Sequence, residues 1–497
     1  MLFTTAIFSF VFLPLVVLGF FSIARLSHDL AALWLFAASL VFYSYWMPQF
    51  TLLLLVSIAV NFGVGRLIAL RSRDAVSTNK GRRWLVFGVT FNLALLAYFK
   101  YTNFFLDSLR TVLDADISMA KVILPIGISF YTFTQIAFLA DVHRKGVKEY
   151  KFVHYGLFVT YFPHLVAGPV LHHAQMMPQF QREETYRFQL ANFSAGLAIF
   201  CLGLLKKVVL ADGLSPYADA IFDPTAGGSL PTFTEAWLGS LAYTFQLYFD
   251  FSGYSDMAIG LSWMLNVRLP FNFDSPYKSL NIVEFWRRWH MTLSAFLRDY
   301  LYIALGGNRH GEIRRYINLG LTMLLGGLWH GANWTFVFWG GLHGLYLGIN
   351  HAFRAASKSV APQLASSRLF AILSWATTFI AVVVAWVFFR APDFSTATRM
   401  LSGMTTPGPF GNSPESNPLL WNAGLDLSAG FMICCALGVL AVAAPNSNRI
   451  GEQIHRLCAR GLSWRAMVTG SAITLAILLV VLNEARESVS AFIYFNF

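Results

Sequence analysis

A histidine stands among glycines in Leu324-Leu325-Gly326-Gly327-Leu328-Trp329-His330-Gly331-Ala332-Asn333-Trp334, inside a stretch apolar enough to lie in lipid. An ionisable ring at membrane depth is costly to keep, which makes His330 a functional candidate. A neutral imidazole there can take the proton of a hydroxyl and act as a general base in acyl transfer. The glycines let a neighbouring helix, or a substrate, come close to the backbone. A bland reading, in which His330 only hydrogen-bonds a neighbouring helix, stays open from residue types alone.

Polar side chains gather in two further places. In Glu284-Phe285-Trp286-Arg287-Arg288-Trp289-His290 the spacing predicts a cationic, aromatic-rich helix, with Glu284 and Arg288 one turn apart and Arg287 and His290 projecting within a turn of each other. This helix reads equally as a headgroup anchor and as a binder of an anionic substrate, two compatible roles. In Gln246 to Asp256 the carboxyls Asp250 and Asp256 are six residues apart, off a shared helical face, which argues against a paired-carboxylate catalyst and for pairing with Arg or Tyr. With Gly253 and Pro270 nearby, these polar pieces are expected to line a cavity or a broken helix. Arg287, Arg288, Trp329, Asn333, Asp250 and Asp256 are the candidate donor-binding or lining residues. Asn333 is a candidate oxyanion donor by sequence proximity, with packing the competing role. His164 and His343 read as packing residues, and His172-His173 as a pair at the membrane edge.

The elements that must hold these residues are helices in a membrane. Of 497 residues, 56% are hydrophobic, 16% aromatic and only 12% charged, a composition that excludes a soluble domain of this size. Apolar runs long enough to span hydrocarbon lie near 2–24, 30–47, 51–70, 84–104, 121–141, 152–170, 188–210, 233–264, 314–353, 368–391, 426–444 and 466–483. The fold class expected is an all-α polytopic membrane protein with about 11–14 transmembrane or re-entrant helices. One membrane domain over 1–497 is the simplest organisation, its helical core near 84–391 and its C-terminal helices and tail at 426–497. The stretches 212–232 and 404–425, rich in Gly, Pro, Ser and Asp, are expected to be surface loops. Because basic residues flank both ends of 314–353, this stretch is expected to be a hairpin whose far end carries His330, about 24 Å from the charged end.

Charge sets the topology. Arg71, Arg73, Lys80, Arg82 and Arg83 share one loop, His143 to Lys148 occupy another and a basic run extends from Arg449 to Arg465. All three are expected to be cytoplasmic, which puts the N-terminus and the tail after Asn483 on the outer side. The net charge of +11 is therefore a topology signal dispersed among spans, and nucleic acid is not an expected partner. Four cysteines carry no disulfide or metal spacing, so no metal site is expected.

Over nearly its full length the chain resembles the membrane-bound O-acyltransferase family, and within it the branch of alginate O-acetylation and teichoic-acid D-alanylation. The likeness rests on Leu124 to Tyr131, Phe162 to Pro169, Gln246 to Ile259, Glu284 to Leu305 and Leu324 to Asn333. It implies helices around a thin centre where a cytoplasmic and a periplasmic funnel meet at a histidine. By motif that catalytic histidine is His330, and the second family histidine is His290, which positions the donor or supports the first. It also implies no bound cofactor, acetyl-CoA as co-substrate, an exported polysaccharide as final acceptor and a periplasmic esterase-like partner of the SGNH type. Alginate is the acceptor the likeness favours, with cellulose and peptidoglycan still open. The expected location is the bacterial inner membrane.

The C-terminal Phe492-Ile493-Tyr494-Phe495-Asn496-Phe497 resembles the aromatic tail of the small companion protein of D-alanylation, which makes Tyr494 a candidate acyl relay. An aromatic tail resting at the interface is the alternative. Two other classes compete with the enzyme: a transporter or channel for an ion or lipid-linked sugar, and a non-catalytic scaffold. Neither matching halves nor paired broken helices are visible, which weighs against a transporter. A scaffold leaves a buried His330 without a reason.

Overall fold

A computed structural model describes residues 1–71, 78–114, 120–147, 149, 151–360, 367–408, 411–485 and 492–493. It is 79% helical, and among the described residues there are no strands. Among the described residues six helices are by themselves long and apolar enough to cross a membrane, or seven counting a bent pair at 427–460. The apolar helix at His28–Ser44 falls short of that standard by its length. The chain divides into two compact units, one of Met1–Leu204, Tyr254–Phe271 and Ser447–Asn496, the other of Leu205–Gly253, Asn272–Asn446 and Phe497.

In the first unit, α1 (Leu13–Ala24), α2 (His28–Ser44), α3 (Pro48–Arg71), α4 (Thr78–Leu96), α5 (Thr102–Leu113), α6 (Ile128–Lys145), α7 (Phe152–Thr160), α8 (His173–Met176) and α9 (Leu190–Leu205) follow in order. The run predicted to span 152–170 is helical only to Thr160; Tyr161 turns out of the helix, and Phe162 to Pro169 form a buried turn. His164 is satisfied there, its Nε2 lying 3.1 Å from the Phe158 carbonyl, in keeping with a packing role. Gly127 enters α6 with φ +74°, and a Cβ there would sit 3.1 Å from the Leu165 carbonyl, so this turn needs a glycine.

In the second unit, the chain runs on from α9 through a wide turn at Lys206–Ala211 into α10 (Asp212–Ala226). The loop expected at 212–232 is thus mostly helix. Its Pro216 and Pro224 signal a break, but Leu214, Tyr217, Ala218, Ile221 and Phe222 are all buried at the spacing of one helical face, and this stripe outweighs composition. By contrast, 404–425 is mostly turns around the short helix noted below, much as expected.

The long α11 (Phe233–Met264) passes through Gly253 without interruption, so the break expected there is absent. A break does occur between α12 (Ile282–Arg288) and α13 (Met291–Phe296). Then α14 (Gly311–His330) and α15 (Trp334–Val360) form the expected hairpin through a three-residue turn. Gly327 and Gly340 make the crossing possible. A Cβ on Gly327 would lie 2.2 Å from the Phe336 carbonyl oxygen, and one on Gly340 would lie 2.2 Å from that of Met323. After α16 (Arg368–Arg390) and α17 (Phe394–Thr405) come α18 (Pro418–Asn422) and α19 (Leu427–Ala443). The first unit is completed by α20 (Ser447–Arg460) and α21 (Leu462–Glu484).

Candidate active site

His330 is the last residue of α14 and is only 3% exposed. The glycine crossing brings α15 against it, and aromatic rings wall it in: Trp329 at 5.1 Å, Trp339 at 5.2 Å and Phe389 at 5.4 Å between ring centroids. Trp339 and Phe389 meet the imidazole edge-on, a packing that fixes its plane. His290 is a further ring neighbour, 6.2 Å away. The two histidines that sequence motifs single out, forty positions apart, are thus neighbours in space.

His290 is held by a device of its own. Helix α12 starts where the Asn281 side chain accepts the Glu284 N–H and stops at Trp289, whose backbone is extended. His290 then takes φ 44° and ψ 53°, a left-handed conformation that costs a β-carbon-bearing residue of order 1–3 kcal/mol and persists only where surroundings over-determine it. Asn272 supplies those surroundings. Its backbone carbonyl accepts the Met291 N–H at 2.9 Å, while its Oδ1 accepts from the Thr292 hydroxyl at 2.9 Å and the Thr292 N–H at 3.4 Å. The same Oδ1 lies 3.0 Å from His290 Nδ1. Because the Thr292 N–H is an obligatory donor, this atom of Asn272 is the oxygen, and His290 must donate from Nδ1. Neutral His290 is thereby locked as the tautomer whose lone pair is on Nε2.

This geometry corrects one expectation. Arg287 and His290 do not project from one helix, because the break at Trp289 turns His290 away and buries it, while Arg287 is exposed. The Glu284–Arg288 pair does form, at 2.8 Å, and Arg288 also donates to the Asp274 carbonyl at 3.1 Å. Arg287 is therefore the better placed of the two for an anion.

Trp329 neighbours both histidines, 5.1 Å from His330 and 6.4 Å from His290. Asn333 caps α15 by accepting the Thr335 N–H at 3.0 Å, and its amide donates to the Pro392 carbonyl at 2.7 Å, strapping the hairpin tip to the turn after α16. The next residue, Asp393, has its carboxyl held below the usual range, chiefly by the Thr396 N–H and the Ser395 hydroxyl that donate to it. His343 is buried, with Nδ1 accepting from Trp286 Nε1 at 3.3 Å.

Asp250 and Asp256 do not act as a pair. Asp250 accepts from Lys207 Nζ at 2.6 Å, and Asp212 lies 2.9 Å from the same ammonium. Asp256, in the first unit, accepts from the Ser447 hydroxyl at 3.0 Å. A lysine, Lys207, is thus one charged partner of Asp250. Tyr494 lies outside the described residues.

Asn272, Thr292, Trp339 and Phe389 were not singled out by sequence reasoning. No local period links Asn272 to a histidine eighteen residues on, and Pro270 was the sole hint of irregular chain there. Asn272→Ala would remove the tautomer lock and strand buried donors. Transfer activity is expected to fall about 10- to 100-fold with yield in membranes preserved, measured by acyl transfer per milligram of purified protein.

The sequence profile of the family described as MBOAT, membrane-bound O-acyltransferase family, matches residues 40–391. The chain belongs to the membrane-bound O-acyltransferase family. It is accordingly a multi-pass membrane enzyme, an O-acyltransferase, and the choice between enzyme, transporter and scaffold falls to the enzyme. Individual relatives agree. A peptidoglycan O-acetyltransferase of Helicobacter pylori is 38% identical, covering 100% of this chain and 98% of the relative. A probable alginate O-acetylase of Pseudomonas putida is 40% identical, covering 100% of each. A teichoic acid D-alanyltransferase of Streptococcus thermophilus is 28% identical over 47% of this chain and 59% of its own length. The family match spans both histidines, the Asn272 clamp and the whole α14–α15 hairpin.

Proposed function

We propose that this O-acyltransferase takes acetyl groups from cytoplasmic acetyl-CoA and delivers them across the inner membrane for O-acetylation of an exported polysaccharide. The observation that carries the reading is the buried His330 at the tip of the hairpin, 6.2 Å from His290, in a chain with full-length relatives named as polysaccharide acetylases. In the proposed reaction His330 accepts the proton of an acceptor hydroxyl as its oxygen attacks the thioester carbonyl. The tetrahedral intermediate then expels CoA thiolate, which recovers the proton from the imidazolium. His290, with its lone pair on Nε2, is the second group able to accept a hydrogen bond beside that centre. The aromatic walls keep bulk water from hydrolysing the donor. Alginate is the favoured polymer and peptidoglycan the alternative, matching the names of the Pseudomonas putida and Helicobacter pylori relatives. Cellulose has only the family likeness behind it.

The remainder of the reading is the outer-face path. Both termini lie on the periplasmic side, Tyr494 carries the acetyl group as an ester, and an SGNH-type esterase-like partner moves it to the polymer. Deleting the gene and restoring it tests the function: alkali-releasable acetate on the exported polysaccharide should vanish and return. Unchanged acetate in the deletion strain would refute it. In the same assay Tyr494→Phe should lower polymer acetate at least about tenfold, and full acetylation would remove the relay while leaving His330 in place.

A further inference from the structure

One outer face of the α14–α15 hairpin carries an apolar groove of about 570 Å³. Its walls include Tyr316 and Leu324 on α14 and Ile349 on α15, and its floor is glycine, chiefly Gly320, Gly344 and Gly348. Ile349 is 57% exposed, so the groove opens on the surface of a protein whose surroundings are lipid. In hydrocarbon such a furrow fills with an acyl chain. Its Tyr316 end is cationic. The Arg315 guanidinium lies 5.6 Å over the Tyr316 ring, and its Nη2 is 3.3 Å from His351 Nδ1. The positive charge of Arg354, one turn after His351, also acts on that ring. An apolar slot running into two arginines and an imidazole matches a single amphiphile with an anionic head.

We propose that this groove is a binding site for an anionic phospholipid, one acyl chain lying along the glycine floor and the phosphate held by Arg315, His351 and Arg354. Basic groups at a helix boundary recognise phosphate through charge and donor geometry, and the glycines give the chain room no larger residue would leave. The site is separate from His330 and does not depend on which acyl group is transferred.

Native mass spectrometry of the full chain in detergent tests the proposal, after addition of phosphatidylglycerol or of phosphatidylcholine with the same acyl chains. The expected result is one retained phosphatidylglycerol per chain, favoured about tenfold over phosphatidylcholine and not displaced by inorganic phosphate. Around a Cβ at Gly348 or Gly320 nothing lies within 4 Å, so Gly348→Leu fills the groove without separating the helices. It should abolish the retained lipid while the melting temperature holds, and Gly320→Leu serves as the second variant if the first does not fold. Arg315→Gln should erase the headgroup preference. Equal retention of both lipids, retention unchanged in the leucine variant, or a co-purifying protein helix in place of the lipid would overturn the proposal.

Discussion

Replacing His330 with glutamine should lower polysaccharide acetylation by about 100- to 10,000-fold, the range general-base catalysis contributes, while the protein still inserts and folds. Glutamine is close to histidine in volume and can hydrogen-bond, so it preserves most contacts with Trp329, Trp339 and Phe389 but cannot take up a proton at neutral pH. The two readings of His330 therefore separate. A histidine that only bonds a neighbouring helix would be replaced with little loss of turnover and a small change in melting temperature. A base would lose turnover and keep stability. Released acetate, compared with the yield of membrane-inserted protein, distinguishes them.

Lys207→Met should be the most damaging substitution for folding. Lys207 is 2% exposed, and its ammonium neutralises Asp250 at 2.6 Å and Asp212 at 2.9 Å. Removing it takes this ammonium away from two buried carboxylates, and breaking a buried pair in this way costs about 3–5 kcal/mol. The expected result is a steep fall in yield and melting temperature in detergent. Adding Asp250→Asn to Lys207→Met should recover part of the loss, because one of the stranded charges is gone. A double-mutant cycle then reports the coupling directly. If Lys207→Met melted with the parent, the triad would be structurally idle.

What the residues disclosed depended on how locally each feature is encoded. The α14–α15 hairpin was legible because apolar periodicity, flanking arginines and glycines all act within a few turns, and Gly327 and Gly340 do meet at its crossing. The candidate histidines were legible for the same reason, as motif positions in an apolar chain. Helix α10 was not, since two prolines and several small polar residues read as a loop while its buried stripe from Leu214 to Phe222 was masked by them. The break after α12 was misread in the opposite sense: Glu284 to His290 has helical spacing, and only the tertiary grip of Asn272 on His290 and Met291 shows why the chain leaves the helix at Trp289. Asp250 found a lysine 43 positions earlier, a pairing that sequence spacing does not encode. Contacts between distant segments decide such partners, and those contacts arise only on folding.

The most direct test of the proposed base is thioester cleavage itself. Purified protein in lipid, supplied with acetyl-CoA labelled in the acetyl group and a hydroxyl-bearing oligosaccharide, should release CoA thiol and yield labelled ester. His330→Ala should bind CoA as tightly as the parent yet release thiol at least about 100-fold more slowly. Thiol release at the parental rate by His330→Ala would contradict the account.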